Sequence, residues 1–382
     1  MEKKYKVMLI AGEASGDLHG ANLIHELKQR LPAIELKGMG GVNMAQAGME
    51  LIADIADYSV CGFVEIIGHL PRLFSLFKKI KTELELFRPD LLVLIDYPSF
   101  NLRLAKIASR LNLKILYYIS PQLWAWHTSR ISLIKKYITV MGVIFPFEAD
   151  FYGKHNVPVK YVGHPLVGKV RPTLLPQQIK NHYQISDQSI VIGLLPGSRA
   201  NELKYILPTL LTAAEYLQQK NPKLQFLLPV ANTLKLESIK TLLSHRAANI
   251  QLITEDRYDA MSICDAVVAA SGTVTLELAL LGIPMVVVYK ANAISFAIAK
   301  RVVKIPHISL CNIVAGEKIV EELIQADASP ERICFELTRL IEEIDYQATQ
   351  KKQLARVAQK LATAKECSIG QLCFQALDTQ VN

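Results

Sequence analysis

Residues 91–101 read Leu91-Leu-Val-Leu-Ile-Asp-Tyr-Pro-Ser-Phe-Asn101. A strand wetted on one face alternates apolar with polar residues, whereas a strand covered on both faces is apolar at consecutive positions. The unbroken run at 91–95 therefore predicts an interior strand of a parallel sheet. Working outward, strand patterns recur at Lys6–Ile10, Ile34–Lys37, Lys114–Ile119, Val140–Phe145 and Val159–Val162. Helical patterns fall between them at Leu18–Arg30, Leu73–Phe87 and Asn101–Leu111. Between Pro165 and Pro176, three prolines interrupt a stretch without clear period. The alternation then restarts at Ile190–Leu195 and continues through Gln225–Leu228, Ile250–Ile253, Ala266–Ala269 and Met285–Tyr289 to a helical tail after Ser329. This pattern predicts an α/β fold of two doubly wound, Rossmann-like domains, 1–170 and 171–382, facing each other across a ligand-binding cleft.

The 382 residues, 51% hydrophobic and 20% charged, suit two such domains and exclude overall disorder. Of the net charge of +8, residues 1–170 carry +6, and residues 101–170 alone hold 10 basic against 2 acidic side chains. That local field suits a phosphate, a membrane surface or nucleic acid. Six scattered cysteines form neither a CxxC pair nor a cluster at zinc spacing, which reads as reduced thiols in a cytoplasmic protein. The first residues run straight into a strand pattern without a signal-peptide stretch, so secretion is not expected. Ala266–Tyr289 is long enough to span a bilayer and carries one charge, Glu277, but turn signals at Ser271-Gly-Thr273 and Gly282-Ile-Pro284 break it. No transmembrane span, metal site or cofactor is expected.

Several strand ends carry residues suited to chemistry. Gly12-Glu-Ala-Ser-Gly-Asp17 is a glycine-rich turn opening a helix. The turn of Glu13, Ser15, Gly16 and Asp17 either holds an anionic group or a sugar on its backbone N–H groups or is a tight βα turn capped by Ser15 or Asp17. Asp96 stands at the end of a buried strand, as a general base or as a helix cap. Trp124, Trp126 and Arg130 cluster after another strand, offering aromatic faces beside a cation, or core filling. In the second half, Gly197-Ser198-Arg199 joins a strand to an amphipathic helix, so turn N–H groups, helix dipole and guanidinium converge on any anion there. Ser271, Gly272 and Thr273 form a comparable turn. Glu277 follows in an apolar helix, fit to accept from a ribose diol or to pair with a cation that the local sequence does not offer. Finally Phe63, Ile66, Ile67, Leu70, Leu73, Phe74 and Phe77 recur at helical spacing beside Arg72, Lys78 and Lys79, with Pro71 expected to start a second helix. Such a face packs into a core or lies in a membrane interface.

With these residues assembled, the chain resembles the lipid-A-disaccharide synthases, bacterial glycosyltransferases of the GT-B fold. The resemblance runs nearly end to end through Ala11-Gly-Glu-Ala-Ser-Gly-Asp-Leu-His-Gly20, Ile95-Asp-Tyr-Pro-Ser-Phe-Asn101, Tyr118-Ile-Ser-Pro-Gln-Leu-Trp-Ala-Trp126, Tyr161-Val-Gly-His-Pro165, Leu195-Pro-Gly-Ser-Arg199, Ala270-Ser-Gly-Thr273 and Cys311-Asn-Ile-Val314. It implies transfer of 2,3-diacylglucosamine from UDP-2,3-diacylglucosamine to the 6-hydroxyl of 2,3-diacylglucosamine 1-phosphate, with inversion to a β-1,6 linkage and release of UDP. It further implies Asp96 as base, Arg199 and the Gly197-Ser198 turn on the diphosphate, Glu277 on the ribose, and Asn312 near the nucleotide sugar. A peripheral place on the inner membrane surface, no nucleic acid, and a homodimer with the tail after Ser329 crossing back to the first domain complete the expectation. Rival readings are a UDP-N-acetylglucosamine 2-epimerase, the glycosyltransferase that makes lipid II, and a non-catalytic UDP-sugar-binding membrane protein.

Overall fold

A computed structural model describes residues 4–58, 65–126, 128–231, 234, 236–244, 246–292, 296–297, 301, 305–363 and 365–378, with residues 65–70, 128 and 238 described by backbone alone. The chain divides into two compact units, residues 1–165 with 363–382, and residues 166–362.

In the first unit, the strands are β1 (Lys6–Ala11), β2 (Glu35–Gly40), β3 (Glu50–Asp54), β4 (Leu91–Ile95), β5 (Lys114–Tyr118), β6 (Val140–Val143) and β7 (Val159–Tyr161). All pair in parallel in the order β3-β2-β1-β4-β5-β6-β7. Alternate residues enter two different cores, as the period of two requires. Met8, Ile10, Leu92, Leu94 and Tyr117 face one, and Val7, Leu9, Val93, Ile95 and Tyr118 the other. The helices are α1 (Ala14–Arg30), α2 (Val42–Gln46), α3 (Glu65–Phe87), α4 (Pro98–Arg110), α5 (Ile131–Tyr137) and α6 (Pro146–Lys154). The second core is completed by the helix Ile369–Asp378, whose Ile369, Leu372, Cys373, Ala376 and Leu377 are buried against the sheet beside α1.

The second unit repeats the design with β8 (Ile190–Leu195), β9 (Leu224–Pro229), β10 (Ile250–Ile253), β11 (Ala266–Ala270), β12 (Met285–Tyr289) and β13 (Glu321–Ile324), parallel in the order β10-β9-β8-β11-β12-β13. Its helices include α7 (Pro176–His182), α8 (Ala200–Lys220), α9 (Leu236–Leu243), α10 (Arg257–Ser262) and α11 (Val274–Leu281). In each sheet the strand order reverses once, between β1 and β4 and between β8 and β11. At such a reversal the loops after the two central strands diverge and leave a crevice at their carboxyl ends.

Three expectations change. β3 and β13 escape the sequence pattern because both are short edge strands, where one side of the ladder is open and charged residues such as Glu50, Glu321 and Glu322 are tolerated. Pro71 does not start a helix. It lies inside α3, where it removes one main-chain donor without ending the helix. The tail does not change unit at Ser329: helices Pro330–Glu342 and Ile344–Leu361 stay with the second unit, packed on α8, α11 and β11, and only residues from Thr363 join the first. The helical pattern of α3 is divided as well. Leu76, Ile80 and Leu84 are wholly buried, and Phe77, expected at a membrane, packs edge-on to Phe100 at 5.3 Å between ring centres. Leu73 is half-buried and Phe74 is 70% exposed. Phe63 and the side chains of Ile66, Ile67 and Leu70 lie outside the described residues. Among the described residues, no helix is long and apolar enough to cross a membrane.

Because the C-terminal helix closes a core of the first unit, Leu372→Ala should lower the stability of that unit by about 2–5 kcal/mol. Chemical denaturation followed by circular dichroism checks this, and an unchanged midpoint would show that the helix is not part of that core.

Candidate active site

The reversal between β8 and β11 opens into a concavity of about 240 Å³ within the second unit, lined by Gly197, Ser198, Arg199, Ser271, Gly272, Thr273 and Glu277 together with Glu202 and Arg257. The two turns, at 197–199 and 271–273, lie more than 70 residues apart in sequence. Parallel pairing of Leu195 with Ala269 brings the two turns side by side.

The first turn is shaped by Gly197, at φ 107°, a left-handed conformation that favours glycine; a Cβ there would also run into Glu202. The N–H groups of Ser198 and Arg199 donate to Glu202 Oε2 at 2.8 and 3.2 Å, and Arg199 Nη1 lies 3.0 Å from Glu202 Oε1. Arg199 is the N-cap residue of α8, and a carboxylate three residues on closes its first turn. The donors expected for a phosphate are thus gathered around one anion already, the carboxylate of Glu202. Sequence reading passed over Glu202, although its spacing from Arg199 is the capping signal. The Arg199 side chain is 81% exposed, so its pair with Glu202 is a water-screened surface contact.

Behind the second turn, the Ser271 hydroxyl donates to the carbonyl of Ile308 at 2.8 Å, leaving the Gly272 position open. Glu277, 5% exposed, has the cation that its local sequence lacks. Arg257 Nη2 from α10 lies 2.8 Å from Oε1 and the Tyr258 hydroxyl donates to the same oxygen at 3.2 Å. Burial raises the Glu277 carboxyl above its ordinary range while Arg257 and Tyr258 oppose the shift. Arg257 carries no motif, so only the packing of α10 on α11 reveals it.

Asn312 is not available to a nucleotide sugar. It is wholly buried, its Oδ1 accepts from Ile319 and Val320 N–H at 2.8 and 3.0 Å, and its Nδ2 donates to Val320 O and Glu322 Oε1. Glu322 also accepts from Ile308 N–H and from the backbone and hydroxyl of Ser309. Asn312 therefore fastens the segment on which Ser271 rests.

In the first unit, the reversal between β1 and β4 places Glu13 and Asp96 at neighbouring strand ends, with Ala11 paired to Ile95. Asp96 is half-buried, and its carboxyl is pushed up to about 6, first by burial and then by the charge of Glu13. It is not the cap of α4, whose N-cap residue is Tyr97 with no side-chain cap. Glu13 and Ser15 are exposed and Gly16 is buried. Asp17 is taken away from any ligand: it is 2% exposed and accepts from the N–H groups of Gly41, Asn43 and Met44 and from Asn43 Nδ2, at 2.7 to 3.1 Å, holding the start of α2. Trp124 is likewise committed, its Nε1 donating to buried Glu148 at 3.1 Å and its ring edge-on to Phe147. Trp126 is 47% exposed and Arg130 half-buried.

Two parallel sheets, each with a single reversal and a polar turn pair at it, define a fold of the GT-B class. The solved glycosyltransferase of kitacinnamycin superposes with a TM-score of 0.64 over 98% of this chain and 100% of its own, at 13% identity. The UDP-GlcNAc 2-epimerase of Neisseria meningitidis, solved with UDP-GlcNAc, gives 0.61 over 97% and 99% at 16% identity, a likeness of fold alone. At the level of sequence, the family model of lipid-A-disaccharide synthetase matches residues 7–376. The lipid-A-disaccharide synthase of Geobacter sulfurreducens is 43% identical over 360 residues, 94% of each chain. The chain belongs to the lipid-A-disaccharide synthetase family and is a glycosyltransferase.

The Arg257–Glu277 pair gives a test of the site's electrostatics. Arg257→Leu should cost about 1–3 kcal/mol by leaving a buried carboxylate without its cation. Adding Glu277→Gln should return part of that loss, because the unpaired charge is gone. Denaturant midpoints of the two variants read this, and a double variant no more stable than the single one would contradict it.

Proposed function

We propose that the chain condenses UDP-2,3-diacylglucosamine with 2,3-diacylglucosamine 1-phosphate, giving the β-1,6-linked lipid A disaccharide 1-phosphate and UDP. The observation that carries the nucleotide half of this reading is the convergence of the Gly197–Arg199 turn, the exposed Arg199 charge and buried Glu277 on one concavity. The diphosphate takes the turn N–H groups and Arg199 in place of the Glu202 carboxylate that they now hold, and the ribose hydroxyls donate to Glu277. Neutralising charge on the departing UDP lowers the barrier, since charge builds on that oxygen as the anomeric C–O bond breaks. In the first unit, Asp96 accepts the proton of the acceptor 6-hydroxyl as that oxygen bonds to the anomeric carbon. One displacement inverts the centre, and the electron pair of the broken bond leaves with UDP.

A base must be ionised to act, so the Asp96 carboxyl at about 6 predicts a kcat/KM profile that falls tenfold per pH unit below about pH 6 and is flat above it. Asp96→Asn should lose about 10²–10⁴ in turnover while keeping UDP affinity. Arg199→Ala should weaken UDP binding tenfold or more, the loss of a charge-assisted contact of about 1.5–3 kcal/mol. The deciding assay supplies both acylated substrates and follows disaccharide and UDP together. Absence of disaccharide, with UDP-N-acetylglucosamine epimerised instead, would overturn the reading.

Acylated substrates also give a purpose to Phe74, exposed beside Arg72, Lys78 and Lys79. We read this face as the contact with an anionic membrane. Co-sedimentation with anionic vesicles should fall for Phe74→Asp, and equal pelleting would assign the contact elsewhere. The homodimer carried by the resemblance is read by sedimentation equilibrium as twice the chain mass.

A further inference from the structure

The backbone turns abruptly where β4 ends. Asp96 and Tyr97 occupy the left-handed region in succession, at φ 46° and 48°. Each such residue costs about 1–2 kcal/mol, so the corner persists only where its surroundings impose it. The imposing groups are identifiable. Asp96 N–H donates to Tyr118 O at 3.0 Å. The Asp96 carbonyl accepts from the Tyr117 hydroxyl at 2.6 Å and from Asn101 Nδ2 at 2.7 Å, and Nδ2 reaches Ile95 O at 3.3 Å. On the opposite side the Tyr97 ring occupies the space over Gly12, where any Cβ would collide with it.

Tyr117 and Asn101 are both wholly buried. A hydroxyl and an amide are expensive in an apolar core, and phenylalanine or leucine would fill the same volume without that cost. Asn101 is retained although its Oδ1 finds no partner among the described residues, so the use of the amide lies in its donors. Those donors, like the Tyr117 hydroxyl, go to the main chain of the residue read above as the base. We propose that Tyr117 and Asn101 are positioning residues of the transfer reaction, clamping the left-handed corner so that the Asp96 carboxylate is fixed against the acceptor hydroxyl. The inference rests on the reading of Asp96 as base. Without the clamps the corner relaxes toward ordinary dihedrals and the carboxylate shifts, to which proton transfer between heavy atoms 2.6–3.2 Å apart is sensitive.

Tyr117→Phe is the informative variant, since it removes one oxygen and keeps the packing. Asn101→Ala is the second, and melting temperatures of both are measured alongside. Among the described residues, the charged and titratable groups acting on the corner are Glu13 after β1, Tyr97 before α4 and Tyr117 on β5, with Tyr152 and Arg130 acting on Tyr117. Glu13 is unchanged in either variant, so a moved acid limb reports the corner itself. We expect Tyr117→Phe to lower kcat about tenfold, with KM for both substrates and UDP affinity within twofold, and to move the acid limb of kcat/KM away from about pH 6. Wild-type kcat with an unmoved acid limb in a folded Tyr117→Phe protein would overturn the inference, as would a loss confined to KM. Asp96→Asn is assayed in parallel. If it keeps full turnover, the base assignment fails and the clamp falls with it. If it is inactive while Tyr117→Phe behaves as wild type, the clamp alone is wrong.

Discussion

Two parallel strand pairings, β1 with β4 and β8 with β11, hold everything else in place. In each, strands far apart in sequence lie side by side, with Ala11 opposite Ile95 and Leu195 opposite Ala269. The chain leaves such a pair in opposite directions, so no crossover covers the carboxyl ends between them. The central strands are buried on both faces, so a slip of one residue would exchange the side chains fitted to the two cores and disrupt the packing of both. The polar turns after these strands are therefore rigidly placed although they are loops.

The two sites use this placement differently. At β8 and β11 the turn N–H groups and the exposed Arg199 gather on the Glu202 carboxylate, while burial raises the Glu277 carboxyl and Arg257 and Tyr258 oppose that rise. At β1 and β4 the Asp96 carboxylate has no cation paired with it among the described residues. Burial and the neighbouring Glu13 charge raise its carboxyl to about 6. Had Asp96 a partner like Arg257, its affinity for a proton would fall and it would serve as a poorer base.

The interior strands and the turns after them were legible in the sequence because they depend on local pattern. An apolar run such as 91–95 has one reading, and a glycine-bearing turn after a strand has few. What escaped depends on contacts between distant segments. Arg257 meets Glu277 only once α10 packs on α11. Asp17 and Asn312 look like ligand groups in their motifs, yet the fold spends them on the start of α2 and on the segment behind Ser271. Trp124 is similarly consumed by Glu148, a residue that no motif singled out.

A structure determined with UDP bound tests the central claim most directly. The account requires the nucleotide at the reversal between β8 and β11, its diphosphate against the N–H groups of Ser198 and Arg199 and the Arg199 guanidinium, and its ribose on Glu277. UDP bound elsewhere, or bound there without touching Glu277 and the 197–199 turn, would contradict it.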